Sequence, residues 1–152
     1  MPRLFFTESR KRPLIISVDQ PVGPGCPNKR TDVLLVQFML KVADESPQNT
    51  NWWRTKRARG VRIDGVFGEH TQWVISQVQE QYPDHRYRLA RDSRIDPVSN
   101  GSYFGARTGV LMTMVVLNVI YMQGAVTDDI TTMPHHGWWP RELTPLMQVS
   151  YQ

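Results

Sequence analysis

Apolar residues in this chain gather into three stretches of helical length, separated by polar connections marked with glycine and proline. In the first, Val33, Val36, Phe38 and Leu40 are joined by Leu34, Leu35 and Met39 on other faces. That pattern predicts a central helix, covered on most sides, from near Thr31 or Asp32 to about Asp44. Either starting residue can cap the unpaired N–H groups of the first turn. The second stretch sets Val74, Val78 and Tyr82 at i, i+4 and i+8, beside Trp73 and Ile75, and predicts a helix from about Glu69 to Tyr82 that Pro83 ends. The third, from about Ala106 to Met122, is the longest and most apolar; it is expected to form the spine of the core, with Gly124 as its terminator.

The segments around these helices are less regular. Residues 1–21 read as an irregular N-terminal extension, within which Leu14-Ile15-Ile16-Ser17-Val18 has the composition of a short strand. Residues 45–61 form a polar connection with Trp52-Trp53 at its middle, and residues 84–103 alternate charges with turn formers such as Asn100-Gly101. From residue 125 periodicity is lost. Pro134, Pro140 and Pro145 interrupt a tail, 125–152, that also holds Trp138, Trp139, Leu143, Leu146 and Met147. Such a tail either wraps back on the domain or docks on a partner.

One short theme occurs twice. Arg62-Ile63-Asp64-Gly65-Val66-Phe67-Gly68-Glu69-His70-Thr71 opens the second helical stretch. A looser copy, Arg94-Ile95-Asp96-Pro97-Val98 followed after an insertion by Phe104-Gly105-Ala106-Arg107-Thr108, opens the third. In the first copy Asp64-Gly65 suits a turn with positive φ, which glycine adopts at little steric cost. Val66 and Phe67 are expected to point inward, Gly68 to let the backbone pass close to a neighbouring helix, and the Thr71 hydroxyl to help satisfy first-turn N–H groups.

The run from Ile63 to Thr71, continuing through Val74 and Val78-Gln79, resembles the signature of peptidoglycan-binding-like domains: aspartate-glycine, any residue, phenylalanine-glycine, two residues and threonine, then an apolar helix ending near phenylalanine-glutamine. Val33, Val36-Gln37 and Leu40 match the order and spacing of the helix that precedes this signature, and Gly23 to Asn28 resembles its approach. The resemblance covers residues 22–82; Val78 stands where phenylalanine is usual, and the connection 43–60 is longer than typical. It implies an all-α fold, a compact three-helix bundle over 22–124 with an irregular N-terminal lead-in and an extended C-terminal tail; the looser theme within 94–123 is either a degenerate repeat that extends the bundle or a coincidence. It also implies a non-catalytic module that binds cell-wall peptidoglycan in a groove beside the first motif, with Arg62, Asp64, Gly65, Phe67, Gly68, Thr71 and Trp73 as ligand-binding residues. The alternative is a structural or adaptor protein that reuses the fold for docking in a larger assembly, such as a phage particle or a secretion apparatus, through residues 1–20 and 125–152.

Composition narrows this a little. A chain of 152 residues suits one packed domain. The net charge of +4 is carried mainly by arginine, which favours acidic partners without selecting among them. Cys26 stands alone, so no internal disulfide forms and a loop thiol is expected. Met1 to Glu8 has no uninterrupted apolar run of the secretory kind, hence an expectation of a product that is cytoplasmic at synthesis. Val110 to Met122 holds Thr113 and Asn118 and is shorter than the about twenty residues a membrane crossing needs, so a buried helix and no membrane insertion are expected.

Candidate chemistry is sparse. Trp52 to Arg62 interleaves aromatic and basic residues, a composition that suits single-stranded nucleic acid, but a solvated loop or protein contact is the preferred reading and nucleic acid is not an expected partner. His135-His136 with Asp128-Asp129 fits no zinc spacing, so neither metal nor cofactor is expected. Asp64 and Glu69 as a glycosidase pair would need a deep cleft with controlled separation. No nucleophile triad, phosphate loop or dinucleotide fingerprint occurs, so no enzyme is expected and no catalytic residue is assigned.

Overall fold

The computed structural model describes residues 2–6, 14–46, 60–82, 89–98, 104, 110–127 and 129–147. It is mostly helical, with one small antiparallel sheet. Helix α1 (Arg30–Asp44) runs through the middle, and every residue from Asp32 to Leu40 is buried. Apolar side chains on all faces are stable only in a helix enclosed by neighbours, which is how the pattern read. Helix α1 begins at Arg30, and Lys29 before it makes no side-chain capping bond. The expected cap, Asp32, turns elsewhere: its buried carboxylate accepts the Asp19 N–H at 2.8 Å and the Gln20 N–H at 3.1 Å, tying the incoming chain to the helix.

The lead-in is more ordered than its sequence suggests. Strand β1 (Arg3–Phe6) pairs antiparallel with β2 (Leu14–Ser17), Arg3 opposite Ser17 and Phe6 opposite Leu14. The short strand expected near Leu14 is present; its partner has no strand pattern of its own, because its four residues become a strand only through that pairing. Helix α2 (Glu69–Gln81) matches its expected span to one residue.

Helix α3 (Thr113–Ala125) departs at both ends. Val110–Met112 are not helical, and Leu111 makes isolated bridges to Leu89 and Phe104; residues 105–109 of the expected start lie outside the described residues. Continuous apolarity gives no boundary signal there. At the other end Gly124 lies inside the helix, where a Cβ would meet the Val42 carbonyl oxygen at 3.0 Å and Ser46 Cβ at 3.2 Å. Gly124 therefore permits the close approach of α3 to α1 and is not the terminator. Val126 takes the left-handed position instead, with φ 53°, while its N–H reaches Gln123 O at 3.3 Å and the Thr127 N–H reaches Met122 O at 3.0 Å.

Asn118, the polar interruption in this apolar helix, has a clear task. Its Oδ1 accepts the Ile16 N–H at 2.9 Å, and its Nδ2 donates to the Ile16 and Met114 carbonyls at 2.8 Å. A side-chain amide thus satisfies the edge of β2 that β1 leaves open, where an orphaned buried backbone pair would be costly.

Beyond α3 the chain folds back as two short 3-10 turns, Ile130–His135 and Arg141–Met147. Ile130, Met133, Trp139 and Leu143 enter the same core as Ile15, Ile16 and Val18, so the core draws on lead-in, helical region and tail alike. Phe38 of α1 packs against Tyr121 and Trp139 at ring separations of 5.5 and 5.1 Å. Burial pushes the Tyr121 hydroxyl up to about 12. Among the described residues no helix is long and apolar enough to cross a membrane.

Candidate functional site

Gln37 is 1% exposed in an apolar helix, so its amide must find partners inside the protein. The loop before α2 supplies them. Gln37 Oε1 accepts the Asp64 N–H at 3.0 Å and the Gly65 N–H at 2.8 Å. Its Nε2 faces three acceptors: Asp64 Oδ1 at 3.0 Å, and the Val66 carbonyl and Thr71 Oγ1 at 3.1 Å. Asp64 Oδ1 also accepts the Val66 N–H at 3.0 Å, closing a local turn. That N–H, seconded by Gln37 and Arg62 and opposed by burial, holds the Asp64 carboxyl below its ordinary value.

Gly65 has φ 73°, and the space of its missing Cβ is taken by Arg30, whose Nη1 would lie 2.6 Å from such an atom. Arg30 Nη1 donates to Asp64 O at 2.7 Å, while its Nε and Nη2 hold both oxygens of Glu142 at 2.9 and 2.7 Å. The signature loop is thereby fastened to the start of α1 and to the second 3-10 turn.

This geometry reassigns several residues of the first motif. Asp64, Gly65 and Thr71 come together around Gln37 and serve the fold; the Thr71 hydroxyl accepts from Gln37, not from the N–H groups of its own helix turn. Phe67 packs partly buried against the core, but Val66 points outward at 62% exposure. A Cβ on Gly68 would meet nothing within 4 Å, so no close helix approach explains that glycine. Arg62, Gly68 and Trp73 remain on the outside. Trp73 stacks on His70 at 6.4 Å, and His70 Nε2 lies 3.0 Å from the Gly60 carbonyl.

The same construction recurs one helix later, in a register the sequence pattern misplaced. Gln79 of α2, 4% exposed, accepts the Ser93 N–H at 2.8 Å. Its Nε2 faces Asp92 Oδ1 at 3.2 Å, the Arg94 carbonyl at 3.1 Å and Thr113 Oγ1 at 3.0 Å. Asp92 Oδ1 accepts the Arg94 N–H at 3.0 Å, and Ser93 has φ 57° where Gly65 has 73°. The second copy is therefore Asp92-Ser93-Arg94-Ile95-Asp96 with Thr113, and not Asp96-Pro97-Val98 with Thr108. Serine in place of glycine, and a threonine displaced by a long insertion, hid it. Ile95 is locked by paired backbone bonds with Val22 at 3.0 and 2.7 Å.

Beside this second loop lies a cavity of ≈ 230 Å³, lined by Asp92, Arg94 and Asp96 together with Val110, Leu111 and Met112. Arg94 Nε donates to Asp96 Oδ1 at 2.7 Å, and both side chains are nearly half exposed. Asp96 is the main cause that raises the Arg94 guanidinium above its ordinary value. The sequence pattern points to no ligand contact here, because it aligns the second motif on Asp96 where the bonded loop begins at Asp92.

The remaining candidates fall elsewhere. Among the described residues no three His, Cys, Asp or Glu side chains gather to hold a metal. His136 packs on Phe38 and Trp138 at ring separations of 5.5 and 5.2 Å, while His135 is exposed. Asp128 and the Trp52–Arg59 stretch lie outside the described residues. Cys26 is a half-exposed free thiol, 3.6 Å from the Pro24 carbonyl. Comparison with protein-family models, with curated proteins and with solved structures returned no match.

Proposed function

We propose that this protein is a non-catalytic binding module for cell-wall peptidoglycan. The observation that carries the reading is the bonded unit of Gln37, Asp64, Gly65 and Thr71, repeated as Gln79, Asp92, Ser93 and Thr113. Asp64, Gly65 and Thr71, which resemble the peptidoglycan-binding-like signature, close the first unit with Gln37, and Gln79, Asp92, Ser93 and Thr113 repeat its bonding, a scaffold that leaves outer surfaces for a ligand. Asp64 is unsuited to act as a glycosidic general acid. Its carboxylate is engaged by Val66 and Gln37 and kept ionised, whereas a glycosidic general acid needs a raised pKa.

Arg62 and Trp73 are the expected contacts near the first loop, an arginine for wall carboxylates and an indole for sugar faces. Purified full-length protein should co-sediment with insoluble wall sacculi, and Trp73→Ala should weaken retention while circular dichroism stays unchanged. Retention no greater than that of an unrelated protein of equal charge would refute the wall reading. The adaptor alternative has less to rest on. Met133, Trp139 and Leu143, apolar residues of the segment assigned to docking, are buried in this chain's own core.

A further inference from the structure

The two loop units agree in everything that holds the loop and differ in what they present outward. Asp64 corresponds to Asp92, Gly65 to Ser93 at positive φ, and Phe67 to Ile95 on the core side. Val66 and Gly68, however, correspond to Arg94 and Asp96. The first copy demonstrates that valine and glycine suffice for the scaffold, so folding does not call for a charge at either place. Val110, Leu111 and Met112, just before Thr113, lie alongside these charges and complete the lining of the ≈ 230 Å³ cavity.

Resting on the wall-binding reading above, we propose that this cavity takes the free α-amino-acid head of a wall peptide, an ammonium and a carboxylate on one carbon carried by an alkyl stem. A simple anion would meet Asp92 and Asp96; a simple cation would meet Arg94. A zwitterion satisfies both signs. Arg94 uses its Nε on Asp96, and its two Nη groups have no partner among the described residues, which suits a bidentate grip on a carboxylate. The Asp92 and Asp96 carboxylates receive the ammonium, and Leu111 with Met112 cover the methylenes of the stem. The volume falls below the roughly 300–1,000 Å³ of sites that enclose drug-sized ligands, which fits a single amino-acid head.

The probe is diaminopimelic acid, titrated into the full chain by calorimetry and by amide NMR. Binding is expected, with shifts confined to residues 92–96 and 110–113. Pimelic acid, which lacks the ammonium groups, and cadaverine, which lacks the carboxylates, should each bind about tenfold or more weaker. Arg94→Gln and Asp96→Asn should each lower affinity by a similar factor; the pair is half exposed, so both variants should keep the parental melting temperature. Absence of binding at millimolar diaminopimelic acid, equal binding of pimelic acid, or an unchanged Arg94→Gln affinity would overturn the proposal. Sacculus retention separates the two readings. Retention by parent and Arg94→Gln alike, without diaminopimelic acid binding, sinks the cavity assignment and leaves the wall reading standing. Diaminopimelic acid binding without sacculus retention sinks the wall reading and leaves the cavity as an amino-acid site.

Discussion

Replacing Gln37 with methionine keeps the length and apolar fit of the side chain and deletes its amide. Two backbone donors, Asp64 N–H and Gly65 N–H, then lose the acceptor they share, and the Val66 carbonyl and Thr71 hydroxyl lose their donor. The Gly65 bond is buried and the Asp64 bond only partly so. An orphaned buried polar group costs about 1–3 kcal/mol, and the partly exposed loop can recruit water for some of the set, so the expected loss is about 2–4 kcal/mol. For a chain of this size that lowers Tm by roughly 5–15 °C. Gln79→Met orphans one backbone donor, Ser93 N–H, where Gln37→Met orphans two, and should cost about 1 kcal/mol less. Urea titrations followed by circular dichroism at matched m-values would measure both. A Gln37→Met loss below about 1 kcal/mol, or a larger loss for Gln79→Met, would refute the claim that these amides hold the loops.

Three further outcomes are expected. Asn118→Leu should cost about 2–4 kcal/mol by leaving the Ile16 N–H and carbonyl buried without partners, a loss visible in the same urea titration. Val126→Gly should stabilise by about 0.5–1 kcal/mol, the relief of a branched side chain at φ 53° less the added freedom of glycine when unfolded, seen as a small rise in Tm. His136 is held below its ordinary value of 6.5 by burial, and its Nδ1 accepts the Trp138 N–H at 3.1 Å, so the neutral ring fits the fold, beside the Lys41 cation that sits over Trp138. Its contribution should be complete above about pH 6.5 and lost as pH falls through the lower folded value, a slope that His136→Asn should flatten between about pH 7.5 and 5. The lowered carboxyls Asp64, Asp129 and Glu142 act in a separate window, below about pH 4.

Where local rules decide the outcome, the residues announced it. Helix α2 follows from its apolar spacing, with Pro83 just beyond, and α1 from its many-sided apolarity. The positive φ at Gly65 follows from Asp64-Gly65. Where distant residues decide, the pattern misled. Arg3–Phe6 is a strand because of Leu14–Ser17, and α3 starts at Thr113 where the threonine meets Gln79. The copy at Asp92 was masked by Ser93 and by the likeness of Arg94-Ile95-Asp96 to Arg62-Ile63-Asp64. The sequence signal for both units is the pair of glutamines, Gln37 and Gln79. Each is a hydrogen-bonding side chain on an otherwise apolar face, a place such a residue keeps only if several backbone groups converge on it.

Helix α2 carries Thr71 near its first turn and Gln79 near its last, so it receives a bond from the unit before it and gives bonds to the unit after it. The two loops are therefore links that share a pin. Fraying at the end of α2 withdraws Gln79 and frees the Ser93 amide directly, whereas the Gly65 amide stays on Gln37 of α1 and loses only the Thr71 brace, so Ser93 should exchange with solvent faster than Gly65 when α2 opens.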